Sequence, residues 1–215
     1  PVVNLGTGRT ATALAAGDHH TCAVLDDGEV KCWGYNTNGQ LGLGDAADRG
    51  DAAGEMGNAL PAVGLGTGRT ATATASGGYH SCARLDTGQV KCWGNNNIGQ
   101  LGLGDALNRG DAAGEMGDVL PVVNLGTGRT AVALALANTS TCALLDSNQV
   151  KCWGQNGNGN LGLGDAASRG DAAGEMGNAL PAVSLGTGVT ATAPSAGGSQ
   201  ACALLDTGQV KCWGP

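Results

Sequence analysis

Hydrophobic and polar residues alternate in short runs along this chain, and glycine-rich turns separate the runs. The stretch Thr10–Ala15 alternates in this way and is rich in threonine, which is typical of a β-strand. Two further apolar runs, Thr21–Leu25 and Glu29–Trp33, flank the turn-forming sequence Asp26-Asp27-Gly28 and predict a β-hairpin. A fourth short strand is predicted at Pro1–Leu5, where the leading proline suits a strand start or edge.

This pattern returns at a fixed interval. The sequence Val-Lys-Cys-Trp-Gly occurs four times, always 60 residues apart, beginning at Val30, Val90, Val150 and Val210. The repeats therefore span residues 1–60, 61–120, 121–180 and a shorter 181–215, and we expect them to form a single tandem-repeat domain over 1–215. Four short strands in a unit of 60 residues fit a propeller blade better than one turn of a solenoid.

The hairpin and the residues after it form a long ordered motif. From His20 to Gly44 the chain contains His-Thr-Cys-Ala-Val-Leu, then Asp-Gly-Glu-Val, then Trp-Gly-Tyr-Asn-Thr-Asn-Gly-Gln-Leu-Gly. This motif resembles the repeat of the regulator-of-chromosome-condensation family. It returns at residues 80–104, with substitutions at 140–164, and in part at 200–214.

The resemblance implies an all-β fold, a β-propeller built of four-stranded blades, usually seven in a ring. The four blades of this chain then belong to a larger ring, to a ring made by two chains, or to an open array. Members of the family differ widely in function, so the resemblance alone does not determine what this protein does.

The eight cysteines form four pairs, and the members of each pair are ten residues apart across the predicted hairpin. Facing residues on adjacent strands have Cβ atoms about 4.5–5.5 Å apart, which is near the reach of a disulfide. Reduced, buried cysteines are the alternative, and a zinc site is disfavoured because it needs shorter ligand spacing. Disulfides would place the protein outside the cell or at its surface. The predicted pairs are Cys22 with Cys32, Cys82 with Cys92, Cys142 with Cys152, and Cys202 with Cys212.

Composition narrows the range of functions. The net charge of −7 repels phosphate, so we do not expect nucleic-acid binding. The sequence contains no apolar run of the length that a membrane span needs. No arrangement of nucleophile and general base stands out, and we therefore predict that the protein is not an enzyme. The tryptophans occur once per repeat, which favours packing between blades over a light-absorbing cluster.

An acidic loop follows the motif in each of the first three repeats. The segment Gly39–Leu60 lacks a strand pattern and is predicted to be a long connecting loop. The oxygen-bearing side chains in its Asp45–Leu60 part are of the kind that bind Ca²⁺. Calcium is thus the one candidate cofactor. The alternative is a self-contained turn in which Arg49 pairs with Asp51 or Glu55. The candidate ligands are Asp45, Asp48, Asp51, Glu55, Asp105, Asn108, Asp111, Glu115, Asp165, Ser168, Asp171 and Glu175.

Positions that vary between repeats are better candidates for recognition than the shared ones, which build the scaffold. They cluster after Trp-Gly and before the first cysteine strand, at strand ends where loops line the faces of a propeller. Neutral variation of exposed residues is the alternative. The binding-face candidates are Tyr35, Thr37, Asn38, Asn95, Asn97, Ile98, Gln155, Asn158, His19, His20, Tyr79 and His80.

Together these features favour a non-catalytic extracellular or cell-surface scaffold that binds a protein or a glycan. A structural subunit of an extracellular filament or surface coat is the alternative, because near-identical repeats can stack head to tail without closing. The expected partners are therefore a protein, a glycan or further copies of the chain.

Overall fold

The computed structural model describes residues 2–215, and in this range the chain forms four antiparallel sheets of three strands each. Every sheet keeps sequence order, so neighbouring strands are joined by hairpins. The strands are β1 Ala11–Ala16, β2 His20–Leu25, β3 Val30–Gly34, β4 Ala71–Ser76, β5 His80–Leu85, β6 Val90–Gly94, β7 Ala131–Leu136, β8 Ser140–Leu145, β9 Val150–Gly154, β10 Ala191–Gly197, β11 Gln200–Leu205 and β12 Val210–Trp213.

The turn of the predicted hairpin determines its register. Gly28 has a φ of +80°, a conformation that glycine adopts without strain. Its N–H donates to the Leu25 carbonyl at 3.0 Å, and the strands then pair with Cys22 directly opposite Cys32. In the third repeat Asn148 takes this place with a φ of 60°, which asparagine tolerates better than most residues.

The register joins all eight cysteines as predicted. Cross-strand disulfides connect Cys22 to Cys32 and the equivalent pair in each of the other three repeats. No cysteine in residues 2–215 is free. The disulfide of the first repeat is buried together with Val24 and Val30, so it contributes to the core between two sheets.

The predicted fourth strand is wrong in position. Pro1 lies outside the described residues, and residues 2–5 form no strand. The equivalent residues 61–65 instead touch the outer strand of the preceding repeat through one bond, from the Val63 N–H to the Val30 carbonyl at 2.8 Å. Arg49 makes a one-residue bridge with Gly34 at the outer edge. Proline, which cannot donate a backbone hydrogen bond, opens these segments and limits further pairing.

The predicted connecting loop is ordered against the neighbouring repeat. It contains single-turn 3₁₀ helices at Gly57–Ala59 and Gly177–Ala179. The Gly44 N–H donates to the Gly110 carbonyl at 2.9 Å, which joins the turn of the first repeat to the loop of the second. Within residues 2–215, no helix has the length and apolar character needed to cross a membrane.

The core lies between successive sheets. The first strands β1, β4, β7 and β10 pack side by side, in the position where a propeller has its central channel. Trp93 is fully buried against the first repeat, and its Nε1–H donates to the Gln40 carbonyl at 3.0 Å. A Cβ on Gly42 would lie 2.8 Å from this indole nitrogen, so glycine permits the close approach. Packing between blades, as expected from the spacing of the tryptophans, is confirmed for Trp93 and Trp153, which are fully buried.

Candidate binding face

The two groups of variable positions meet at one end of the strands in each sheet. The residue after the third strand donates its N–H to the carbonyl of the residue before the second strand. These bonds are 3.0 Å from Tyr35 to His19, 2.8 Å from Asn95 to Tyr79 and 3.0 Å from Gln155 to Thr139. The antiparallel register therefore places both groups at the same strand ends, and we call the surface that they form the binding face.

Three aromatic side chains converge on this face between the first and second repeats. The ring of His19 lies 5.3 Å from Tyr79 and 6.2 Å from Tyr35, measured between centroids, and the two tyrosines are 6.2 Å apart. Each tyrosine is 38% exposed. The three rings line a cavity of about 380 Å³ that opens to solvent. We call this cavity the aromatic pocket.

The remaining face candidates surround the pocket or lie along the next junctions. Asn95 Nδ2 donates to Asn38 Oδ1 at 3.1 Å, which ties the second repeat to the first beside the pocket. The Ile98 N–H donates to Gln100 Oε1 at 3.0 Å, and Gln155 hydrogen-bonds to Thr139 at 2.5 Å. Thr37, Asn97 and Asn158 are exposed.

His20 and His80 are not part of this face, although the sequence analysis included them. They are 3% and 0% exposed and lie inside the junctions between repeats. Each is the first residue of its strand, one position beyond the exposed edge. Their place is therefore in the scaffold.

These two histidines belong to hydrogen-bond networks that the sequence analysis missed. His20 Nε2 lies 2.7 Å from Ser81 Oγ, and that hydroxyl donates to the Gln40 carbonyl at 2.9 Å. Because the serine proton is used, His20 must donate from Nε2. His80, Thr141 and Gln100 repeat the arrangement at the next junction, with distances of 2.8 and 2.9 Å.

Burial keeps both imidazoles neutral. Burial, with a smaller contribution from the nearby His19, lowers the pKa of His20 to about 4. Burial likewise lowers the pKa of His80 to about 3, with a smaller contribution from His20. Within residues 2–215, the Nδ1 atoms of His20 and His80 have no hydrogen-bond partner. Each neutral ring carries its one proton on Nε2, so Nδ1 is unprotonated.

At the third junction, all three residues of the network are different. Ser140, Ala201 and Asn160 stand where the first junction has His20, Ser81 and Gln40. Trp213 Nε1 is buried there without a partner in the part of the chain that the structure describes. Joint replacement of three positions within one sequence is a signal that a comparison of the repeats could have found.

Sequence comparisons decide the family. The profile described as "Regulator of chromosome condensation (RCC1) repeat" matches residues 11–40, 71–100 and 138–160, and a second profile with this description matches residues 27–84. Together the matches cover more than half of the chain. The chain belongs to the regulator of chromosome condensation repeat family.

Relatives in this repeat family are longer proteins. The chain is 38% identical over 97 residues to the ultraviolet-B receptor UVR8 of Arabidopsis thaliana, covering 45% of this chain and 20% of the receptor. The structure of Prp20p from Saccharomyces cerevisiae matches with a TM-score of 0.72 and 22% identity, over 96% of this chain and 44% of that one. The chain thus spans less than half of these relatives. The ectodomain of the Arabidopsis receptor kinase ACR4 shares the fold, with a TM-score of 0.56 and 19% identity over 94% of this chain and 52% of that one.

The acidic loops that follow the repeat motif form hydrogen-bonded turns. Arg49 pairs with Asp45 at 2.6 Å, not with Asp51 or Glu55 as the self-contained turn predicted. Glu55 Oε2 accepts the Gly50 and Ala52 N–H groups at 2.8 and 3.0 Å. These bonds, that from Ala52 first, lower the pKa of the Glu55 carboxyl. Asp48 accepts the Asn36 N–H at 2.7 Å.

The second and third loops follow the same plan. Asp105 pairs with Arg109 and Asp165 with Arg169. Glu115 and Glu175 accept the backbone N–H groups of their own loops, and Asn108 accepts the Asn96 N–H. Ser168 and Asp111 are half-buried, while Asp171 is exposed.

Calcium binding by these loops stays a prediction. Within residues 2–215, no three His, Cys, Asp or Glu side chains are gathered in a metal-binding arrangement. Binding would require the carboxylates to exchange backbone and arginine partners for the ion. Melting curves with and without EDTA test the idea: a lower melting temperature in EDTA supports it, and an unchanged curve rejects it.

Proposed function

We propose that this protein is a non-catalytic repeat scaffold that works outside the cell or at its surface, where its binding face recognises a protein or glycan. The observation that carries the proposal is the aromatic pocket, because the two tyrosines of the chain meet there and remain exposed. Exposed aromatic clusters are a common feature of recognition sites.

Binding is favoured over catalysis by the way the reactive side chains are used. His20 and His80 are hydrogen-bonded into the junctions, and the loop glutamates bind their own backbone N–H groups. These groups therefore serve the scaffold. The yeast relative Prp20p has reported binding properties to Gsp1p and histones, so protein recognition by a propeller of this type has a precedent.

The proposed location rests on the four disulfides, which persist in oxidising compartments. The ectodomain of ACR4 supports the compatibility of the fold with that environment. Counting free thiols in protein isolated unreduced from its source tests the location. Fewer than one reactive thiol per chain under denaturing conditions agrees with it, and eight reactive thiols contradict it.

Binding can be tested on arrays of secreted proteins and glycans. The face variant combines Tyr35→Asn and Tyr79→Thr, which are the residues that the second and third repeats carry at these places. The control variant is Thr87→Ala, in the turn between β5 and β6 and away from this edge. A target that the control retains and the face variant loses supports the proposal. A target retained by both variants would move recognition to another surface.

A structural role is the second candidate, and one observation favours it. The chain presents unlike end surfaces, with Trp33 half-buried on the first repeat and Val210 63% exposed on the last. Unlike surfaces that meet between copies make head-to-tail contacts, which produce open filaments when they do not close into a ring.

A further inference from the structure

The aromatic pocket is not a requirement of the scaffold. The places of His19, Tyr35 and Tyr79 are taken at the last junction by Thr139, Gln155 and Ser199. That junction keeps the same backbone bond, from Gln155 to Thr139 at 3.0 Å, without any aromatic ring. Three rings at the first junction therefore need an explanation other than folding.

The geometry of the pocket suits a compact cation better than a flat ligand. The Tyr35 ring is inclined by 67° to His19 and by 68° to Tyr79, so it forms a wall beside the other two rings. A sugar that stacks on aromatic residues needs a flat platform, whereas a cation is attracted by ring faces on several sides. The centroids are 5.3–6.2 Å apart, so one cation above their centre lies within about 6 Å of all three, the range of cation–π attraction.

Charge around the pocket also favours a cation. Asp18 precedes His19 and is exposed. Its carboxylate lies close to Gly78, the residue before Tyr79, because a Cβ added to that glycine would be 3.3 Å from Asp18 Oδ2. The whole chain carries a net charge of −7. A ligand that combines a quaternary ammonium with a phosphate, such as phosphocholine, would be repelled here, while a side chain with positive charge alone would be attracted.

We propose that the aromatic pocket binds an alkylated ammonium group, the trimethyllysine side chain of a protein partner. Methylation weakens the hydration of the ammonium, and the rings replace the lost water contacts. The inference rests on the binding face proposed above and names the chemistry that one part of it recognises.

The experiment is an NMR titration of the full chain, following the ring resonances of its two tyrosines. The probe is a short neutral peptide with one trimethyllysine, and the matched peptide carries the uncharged carbon analogue of that side chain. We expect saturable shifts with the first peptide and at least about tenfold weaker binding of the second, because the analogue keeps the shape and loses the cation–π attraction.

Variants identify the rings that matter. Tyr35→Asn and Tyr79→Thr each weaken binding by about two- to fivefold, while Thr87→Ala, in the turn between β5 and β6, leaves affinity unchanged. The triple variant Thr139→His, Gln155→Tyr and Ser199→Tyr rebuilds the pocket at the last junction. It raises the stoichiometry from one peptide to two, which a merely structural effect of the tyrosines would not do.

Three results would overturn the inference: no saturable binding, equal affinity for the charged and uncharged peptides, or tighter binding of phosphocholine than of trimethyllysine. Its failure can be told apart from failure of the binding face. If the peptide does not bind but the face variant still loses its array target, only the ammonium chemistry is wrong. If the peptide binds and both variants keep the target, the binding-face proposal fails instead.

Discussion

At the scale of single residues, the buried histidines belong to the hydrogen bonds that join the first three repeats. The Gln40 carbonyl accepts from both Ser81 Oγ and Trp93 Nε1, and Ser81 in turn accepts from His20. All of these groups are buried, where an unmade hydrogen bond costs about 1–3 kcal/mol. The network can therefore be tested by removing one hydroxyl.

Replacement of Ser81 by alanine should lower the free energy of unfolding by about 1–3 kcal/mol, because His20 Nε2–H and the Gln40 carbonyl each lose a partner. Urea unfolding measures the change. Ser76→Ala is the matched control, since its hydroxyl is buried without a partner in the described part of the chain and its removal should cost little. Equal losses of unfolding free energy in the two variants would show that the hydrogen bonds of the network add no measurable stability.

The neutral histidines also make the fold sensitive to acid. His20 and His80 have pKa values of about 4 and 3 in the folded protein, against about 6.5 in the unfolded chain. Between these values the unfolded state binds more protons, so stability falls as the pH is lowered through 6.5 and is unaffected above it. Each histidine contributes a slope of up to about 1.4 kcal/mol per pH unit.

Melting temperatures from pH 7.5 to 5 check this expectation, since most carboxyl groups titrate below that range. The variant His80→Gln should show a smaller loss of melting temperature than the parent over the same range. The substitution Thr87→Ala, at an exposed residue whose side chain does not titrate, should keep the full loss. A parent whose melting temperature is constant from pH 7.5 to 5 would contradict the assigned burial of the histidines.

At the scale of elements, the sequence predicted the hairpin well and the rest of the blade less well. The strands β1 to β3 lie within one residue of the predicted runs, because alternation and the Asp27-Gly28 turn specify them locally. The fourth strand failed because its partner is chosen by packing against another repeat. His20 and His80 were predicted to lie on the binding face but are buried. Each begins a middle strand whose two sides are both covered, so alternation does not indicate which polar side chain is buried.

For the candidate site, the sequence pattern identified the strand ends that carry the binding face but no distances between their side chains. His19, Tyr35 and Tyr79 were all among the predicted face residues, and the fold brings their rings together. Their convergence depends on the first and second repeats lying side by side. The junction residues Gln40 and Ser81 were missed, because their partners lie 41 to 61 residues away along the chain.

The close contact between a glycine turn and tryptophan gives a prediction at this scale. Gly102 has a φ of +68°, and a Cβ there would lie 2.7 Å from Trp153 Nε1. Gly128 has the same φ of +68° with nothing within 4 Å. Both Gly→Ala variants therefore suffer the same backbone strain, and only Gly102→Ala also collides with the indole.

Gly102→Ala should be less stable than Gly128→Ala by about 1–3 kcal/mol, the usual cost of overpacking a core. Urea unfolding monitored by tryptophan fluorescence gives the difference, and near-ultraviolet circular dichroism should show a disturbed indole only in Gly102→Ala. If the two variants unfold at the same urea concentration, the turn does not constrain the indole as the structure has it.

At the scale of the whole molecule, each repeat completes the one before it. The loop and tryptophan of one repeat cover the turn of the preceding repeat, as Trp93 covers Gly42 and Trp153 covers Gly102. In the described range no turn covers Trp33 in this way, and its side chain is half-buried, whereas Trp93 and Trp153 are fully buried. The exposure of Trp33 therefore reports whether the first repeat has a neighbour in solution.

A binding scaffold should be a discrete particle, so we expect light scattering to give a mass that does not rise with protein concentration. Acrylamide should then quench Trp33, and the variant Trp33→Leu should lose much of the quenchable fluorescence. Val210→Lys changes the last repeat, at the opposite end of the chain from Trp33. It should leave the mass of a discrete particle unchanged and shorten a filament. Mass that grows with concentration, together with protection of Trp33 that Val210→Lys abolishes, would make head-to-tail stacking the function of the repeats.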